Sequence, residues 1–231
     1  MTETAWFWVG TTGMTLGALV ILVLAKRRTL DEEAHTVLHV MVCVVAASAY
    51  LAMAFGQGHV ELGGRTLWYA RYLDWSVTTP LLLLGLAITA LHGAHRRPGL
   101  VGALLGADVL MIVTGLFSAL SEDPAHRLAW FAVSTGAFLA VLAALLGPLR
   151  REALRRDGLR RRAYGRNTLV LTGLWCVYPV VVALGPHGAE VITQMTETGW
   201  IVVVDLLAKV AYGLLWTRDH DRITAADLQR S

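Results

Sequence analysis

Arg71, Asp74, Asp108, Asp205 and Lys209 are ionisable residues set inside long apolar runs, and their spacing suits chemistry. Arg71, Asp74 and Thr78 stand at i, i+3 and i+7, which puts them on one face of a helix; Asp205 and Lys209, at i and i+4, share a face of another. If those faces meet, Arg71 and Lys209 balance Asp74 and Asp205. Asp108 is then left over, and a lone carboxyl in apolar surroundings is expected to stay neutral. A purely structural ion-pair network is the competing reading. Buried ion pairs are weak stabilisers, and each charge at the centre of a membrane helix costs about 2.5–3.5 kcal/mol on insertion scales, so function is favoured. Lysine usage sharpens the point: the chain has only Lys26 and Lys209. A buried lysine gives up its proton readily and attacks carbonyls, so a Schiff base with an aldehyde is the natural use of Lys209. Asp205 and Asp74 would then be its counterions. Trp75, Trp175, Tyr178, Phe131, Phe138 and Met111 add aromatic and soft apolar walls, pointing to an elongated apolar ligand.

The elements that must hold these residues are membrane helices. The chain of 231 residues is 55% hydrophobic and only 16% charged, which excludes disorder. Its apolar residues fall in seven blocks of about 5–25, 36–57, 67–91, 99–120, 128–149, 167–185 and 199–217, each near the ~20 residues needed to span a bilayer. The expected fold is an all-α bundle of seven transmembrane helices forming one domain over 1–231. Pro80 and Pro179 lie inside the third and sixth blocks and are expected to kink them. Cys43 and Cys176 both lie in apolar blocks and suggest neither a zinc site nor a disulfide; Cys176 reads as a buried packing residue. The first block lacks a basic flank and a cleavage site, so it reads as a retained span.

Charge sets the orientation. Lys26, Arg27, Arg28, Arg96 and Arg97, the run from Arg150 to Arg166, and Arg218, Arg222 and Arg230 all fall on one side, with Arg65 and Arg127 on the other. The positive-inside rule places the N-terminus outside and the C-terminus in the cytoplasm. Topology and anionic lipid explain the arginine run better than nucleic acid does.

The stretches RYLDWSVTTPLLLLGL (71–86) and VVVDLLAKVAYGLLW (202–216) resemble the counterion and lysine helices of the bacteriorhodopsin-like microbial rhodopsins. LWCVYPVV (174–181), GADVLMIVTGL (106–116), WFAVST (130–135) and AYLAMAFGQG (49–58) resemble four more helices of that family, in order. The resemblance implies all-trans retinal covalently bound to Lys209, Asp74 as counterion and proton acceptor, Asp205 as second counterion and Arg71 as a switching arginine. It implies a hydrogen bond from Thr78 to Asp74, and Tyr50 and Tyr178 bracing Asp205. Trp75 and Trp175 would sandwich the chromophore, with Leu82, Met111, Gly115, Phe131, Ser134 and Phe138 around it and Asp108 as a protonated carboxyl near its ring.

The departures from the family pattern bear on mechanism. Many outward pumps carry a donor carboxylate three turns from the acceptor; here that position is Gly85, 11 residues or about 16 Å from Asp74. The triad Asp74, Thr78, Gly85 resembles the Asp-Thr-Gly subgroup of proton-pumping rhodopsins. His39, likewise 11 residues from Tyr50, is expected near the depth of Gly85 and is a candidate proton-uptake relay, its ordinary pKa lying near neutrality; a lone structural histidine is the other reading. Glu197 matches one carboxylate of the family's release pair, whereas the other position is His187, with Glu190 a candidate substitute. Late proton release is therefore expected. Phe131 and Val182 replace bulkier tryptophans, Phe131 still argues against an antenna pigment, and Leu82 and Ala208 resemble green-absorbing members.

The leading expectation is a light-driven outward proton pump without a carboxylate donor, in the cell membrane of a microbe. A homo-oligomer is expected, with retinal and lipid as partners, and no nucleic acid or transducer. The alternatives are a photosensory rhodopsin signalling through a separate transducer, and a retinal-free transporter using Asp74, Asp205 and Lys209. No hydrolytic or phosphate-binding motif points to an enzyme.

Overall fold

A computed structural model describes residues 2–25, 30–91, 97–186 and 188–229. Among them, seven helices are long and apolar enough to cross a membrane. They are α1 (Glu3–Leu24), α2 (Leu30–Ala54), α3 (Ala70–Leu91), α4 (Pro98–Leu120), α5 (Pro124–Leu154), α6 (Gly158–Leu184) and α7 (Gln194–Leu228). Successive helices pack side by side, and α1 also packs on α7.

Burial runs opposite to a water-soluble bundle. Leu19, Val23, Leu128, Leu139 and Leu169 are exposed on the outside, while Arg71, Asp74, Asp108, Asp205 and Lys209 are buried inside. That pattern suits lipid outside and polar function within. The charges sit on α3, α4 and α7, and α3 and α7 are the most buried spans. One apolar core joins Leu82 and Leu86 of α3 to Val141 of α5, Leu171 and Trp175 of α6 and Tyr212 and Trp216 of α7. A second joins Phe7, Met14, Tyr50 and Val202.

The third span starts later than its apolar block. Residues 60–67 form an antiparallel hairpin, β1 (Val60–Leu62) with β2 (Arg65–Leu67), pairing Val60 with Leu67. Gly63 and Gly64, at φ 55° and 76°, are the two-residue turn, since both positions of this turn type need positive φ. The hairpin and the start of α1 define one end of the bundle; the arginine run defines the other.

Other helices outrun their apolar blocks because hydropathy detects only the membrane-buried part. α5 starts at Pro124, where the exposed Asp123 carboxylate accepts from the Ala125 and His126 amides at 2.9 Å. The His126 amide, then that of Ala125, holds this carboxyl below its ordinary range. α6 begins in the arginine run behind the Asp157 cap, and α7 continues to Leu228. α3 runs through Pro80, whereas α6 breaks at Cys176. Pro179 has no N–H and crowds the carbonyl four residues back, at Trp175. Cys176 is exposed at this break and is not the buried packing residue expected. Lys26, Arg27, Arg28, Arg96, Arg230 and His187 lie outside the described residues.

Candidate functional site

Lys209 sits in a π-helical turn of α7, Leu207–Ala211, a local widening frequent at functional sites. Its Nζ donates to Asp74 Oδ2 and lies 3.3 Å from Asp205 Oδ2, so the faces of α3 and α7 do meet here. The two carboxylates differ in their surroundings. Asp205 takes Tyr50 Oη at 2.7 Å, Tyr178 Oη and Trp75 Nε1 at 3.3 Å, besides Lys209. Tyr50 and Tyr178 thus hold Asp205 as the sequence suggested; the Trp75 indole is a further donor that spacing alone did not indicate. Asp74 has Lys209 on Oδ2, and its Oδ1 has no hydrogen-bond partner among the described residues. Thr78 does bond to Asp74, but its hydroxyl donates to the main-chain carbonyl at 2.9 Å.

Arg71 corrects the charge balance read from spacing. It pairs with neither Asp74 nor Asp205 but reaches toward the hairpin end, donating to Thr198 Oγ1 at 2.6 Å with Glu197 at 3.8 Å. Thr198 in turn donates to Glu3 Oε1 at 2.8 Å. A long, rotatable side chain on the helix end chooses whichever carboxylate it can reach, and Glu197 is within reach. Glu190 is exposed and lies 3.5 Å from Arg65 of the hairpin, so it joins a different ion pair.

Asp108 is fully buried and no cation pairs with it among the described residues. Thr79 Oγ1 lies 2.7 Å from both Asp108 Oδ2 and the Trp75 carbonyl. A hydroxyl has one proton. Both contacts are hydrogen bonds only if Thr79 donates to the carbonyl and a protonated Asp108 donates to Thr79.

A cavity of about 440 Å³ opens from Lys209, within the range of about 300–1,000 Å³ usual for ligand pockets. Trp75, Leu82, Met111, Gly115, Phe131, Ser134, Phe138, Trp175 and Tyr178 line it, with Val182 and Ala208. Asp108 stands one layer behind, through Thr79. A reactive amine at one end of an apolar, aromatic chamber fits a long apolar aldehyde such as retinal. The cavity continues past Phe131 to Leu128, Ala183 and Gly188 near the hairpin end.

The chain from Met1 to Arg222 matches the family model described as bacteriorhodopsin-like protein. This chain is a microbial rhodopsin. It is 40% identical to bacteriorhodopsin of Haloterrigena sp. (strain arg-4), over 92% of this chain and 86% of that one. Archaerhodopsin-2 of Halobacterium sp. (strain aus-2) is also 40% identical, over 94% and 85%. Among solved structures, thermophilic rhodopsin from Rubrobacter xylanophilus superposes with a TM-score of 0.89 at 37% identity, covering 94% of this chain and 95% of that one. Cyanorhodopsin from Calothrix sp. NIES-2098 gives 0.87 at 36%, covering 94% of both. Like its family, this rhodopsin is a multi-pass protein of a microbial cell membrane.

Toward the arginine end, the rhodopsin carries His39 fully buried, with neither ring nitrogen hydrogen-bonded among the described residues. Its ring packs 4.5 Å from that of Trp216, centre to centre. A Cβ built on Gly85 would meet the same indole at 3.7 Å, so His39 and Gly85 flank Trp216 at one depth, as their matching 11-residue offsets suggested. Glu3, Thr198, Thr79 and Trp216 are the site neighbours that sequence reading missed. Glu3 and Thr198 are 195 residues apart, and no local pattern joins them.

Proposed function

We propose that this rhodopsin is a light-driven proton pump that moves protons from the arginine end, taken as cytoplasmic, to the hairpin end. The observation that carries the reading is Lys209 Nζ held between the Asp74 and Asp205 carboxylates where the apolar cavity begins. All-trans retinal, bound through Lys209 Nζ, supplies visible absorption and a light-driven change of shape. Trp75, Trp175 and Tyr178 would hold it, with Met111, Phe131, Ser134 and Phe138 lining the rest of the cavity.

The residues divide the proton work. Asp205 is satisfied by donors on both oxygens, so it keeps its negative charge. Asp74 has one donor and an oxygen to spare, which makes it the acceptor of the proton from Lys209 Nζ. Arg71 provides a fixed positive charge between this pair and the hairpin end. Glu197 is engaged with Arg71 at 3.8 Å, and the other position of the family's release pair is His187, so no carboxylate pair stands ready to release a proton at once. Release is therefore late, after uptake. With Gly85 offering no carboxylate, His39 passes the replacement proton toward Lys209 Nζ. Gly213 is one turn from Lys209 on α7, and a Cβ there would lie 3.5 Å from His39 Nδ1.

The test is colour. Purified protein given all-trans retinal is expected to develop a visible band that borohydride and light fix onto Lys209, and that Lys209→Ala lacks. A colourless parent protein, or a coloured Lys209→Ala variant, contradicts the reading.

A further inference from the structure

His39 is the inner member of a cluster that extends to the arginine end. His35 and His39 are at i and i+4, one above the other on α2. His220 lies four residues beyond Trp216 on α7 and brings a third imidazole to the same place. The His35 and His220 ring centres are 4.1 Å apart. Trp216 is wedged among all three: 4.7 Å from His35, 4.5 Å from His39 and stacked on His220 at 5.1 Å with 19° between planes. Its indole also fills the space beside Gly85, where ring atoms lie 3.7–3.8 Å from a built Cβ. Both His35 and His39 are buried, in a layer where bundles otherwise bury apolar side chains.

We propose that His220 and His35 form the entrance of the proton-uptake route, receiving a proton at the arginine end and passing it to His39. The proposal rests on the pumping reading above and extends it to two residues of α2 and α7. Two imidazolium ions 4.1 Å apart would repel, so the His35–His220 pair holds one excess proton at most and is ready to hand it on. The Arg160–Asp227 and Arg166–Asp219 pairs bind α6 to α7 at this end. Arg160 and Arg166 are each engaged with a carboxylate of α7, beside the imidazole cluster. Trp216 is a positioning residue: it has no group that carries a proton at neutral pH, but it touches every ring that does. The step involves proton transfer alone: a ring nitrogen of one histidine releases a proton as its neighbour binds one. No other bond changes, and the cytoplasmic solution supplies the proton.

Two measurements test it. In histidine-labelled protein without retinal, nitrogen NMR is expected to show His35 and His220 titrating together, and His35 titrating alone in His220→Phe. Independent titration of the two in the parent chain overturns the pairing. In the retinal-loaded protein, His35→Gln and His220→Gln are expected to slow recovery of the initial absorption after a flash by at least about tenfold, less than the roughly 10²–10⁴-fold that a positioned acid–base group contributes in full. Azide, a small diffusible proton carrier, is expected to restore the rate. An unchanged visible band verifies that each variant folds. Unaltered recovery in both variants, or slowing that azide does not relieve, overturns the route. Absence of light-driven acidification by the parent chain would instead overturn the pumping reading, so the two failures are distinct.

Discussion

At the scale of single residues, the site is decided by counting donors and acceptors. Asp205 receives four donors and Asp74 one from the protein, so two carboxylates within reach of one lysine take different parts. The same counting assigns a proton to Asp108, because the single Thr79 hydroxyl proton cannot serve two acceptors at 2.7 Å. Asp108→Asn can still donate to Thr79 and is expected to keep the visible band and fold stability. Asp108→Ala leaves a buried hydroxyl short of a partner and is expected to cost about 1–3 kcal/mol in thermal or detergent unfolding. Equal losses in the two variants would contradict a protonated Asp108. These charged residues were legible from the sequence because their spacing survives any detail of packing: i, i+3 and i+7 on α3, i and i+4 on α7. The partner of Arg71 was not legible. Its choice of Thr198 and Glu197 depends on which rotamer its long side chain adopts and on Glu3 arriving from the other end of the chain.

At the scale of elements, hydropathy located every span but misjudged several ends. A hydropathic block records where lipid is, whereas caps and turns decide where a helix stops. The Gly63-Gly64 turn is a recognisable hairpin signal, yet Leu67 and Trp68 drew the apolar block back over the second strand. His220 escaped notice for the same reason, lying on a polar continuation of α7 beyond the apolar block. The Asp123 cap gives a prediction at this scale. Its carboxyl is held below the ordinary range by the His126 and Ala125 amides, so the cap's contribution is fully present above that range. It is lost as pH falls through the depressed value. Asp123→Ala is expected to lower the melting temperature at neutral pH, with the gap to the parent closing on strong acidification. Asp123→Asn, which caps without a charge, is expected to show much less pH dependence. A gap between parent and Ala variant that is constant with pH would contradict the role of the charge.

At the scale of the whole molecule, the bundle divides into two halves around Lys209. One leads through Asp74, Arg71 and Thr198 to Glu3 and Glu197 at the hairpin end. The other leads through His39 and Trp216 to His35 and His220 at the arginine end. A pump needs such separation, because the proton must leave on one side and be replaced from the other. The order of the helices, the lysine and its carboxylates were all readable in advance, since a membrane solvent penalises buried charge so heavily that each one marks its place. The direction proposed for transport rests on where the arginines lie. The most direct measurement is the pH of an illuminated cell suspension producing the protein with retinal, with and without a protonophore. Acidification of the medium that the protonophore abolishes, and that Asp74→Asn loses while remaining coloured, is the predicted result. Alkalinisation, or no pH change from a coloured and photocycling protein, would contradict an outward pump, the latter outcome favouring a photosensory role.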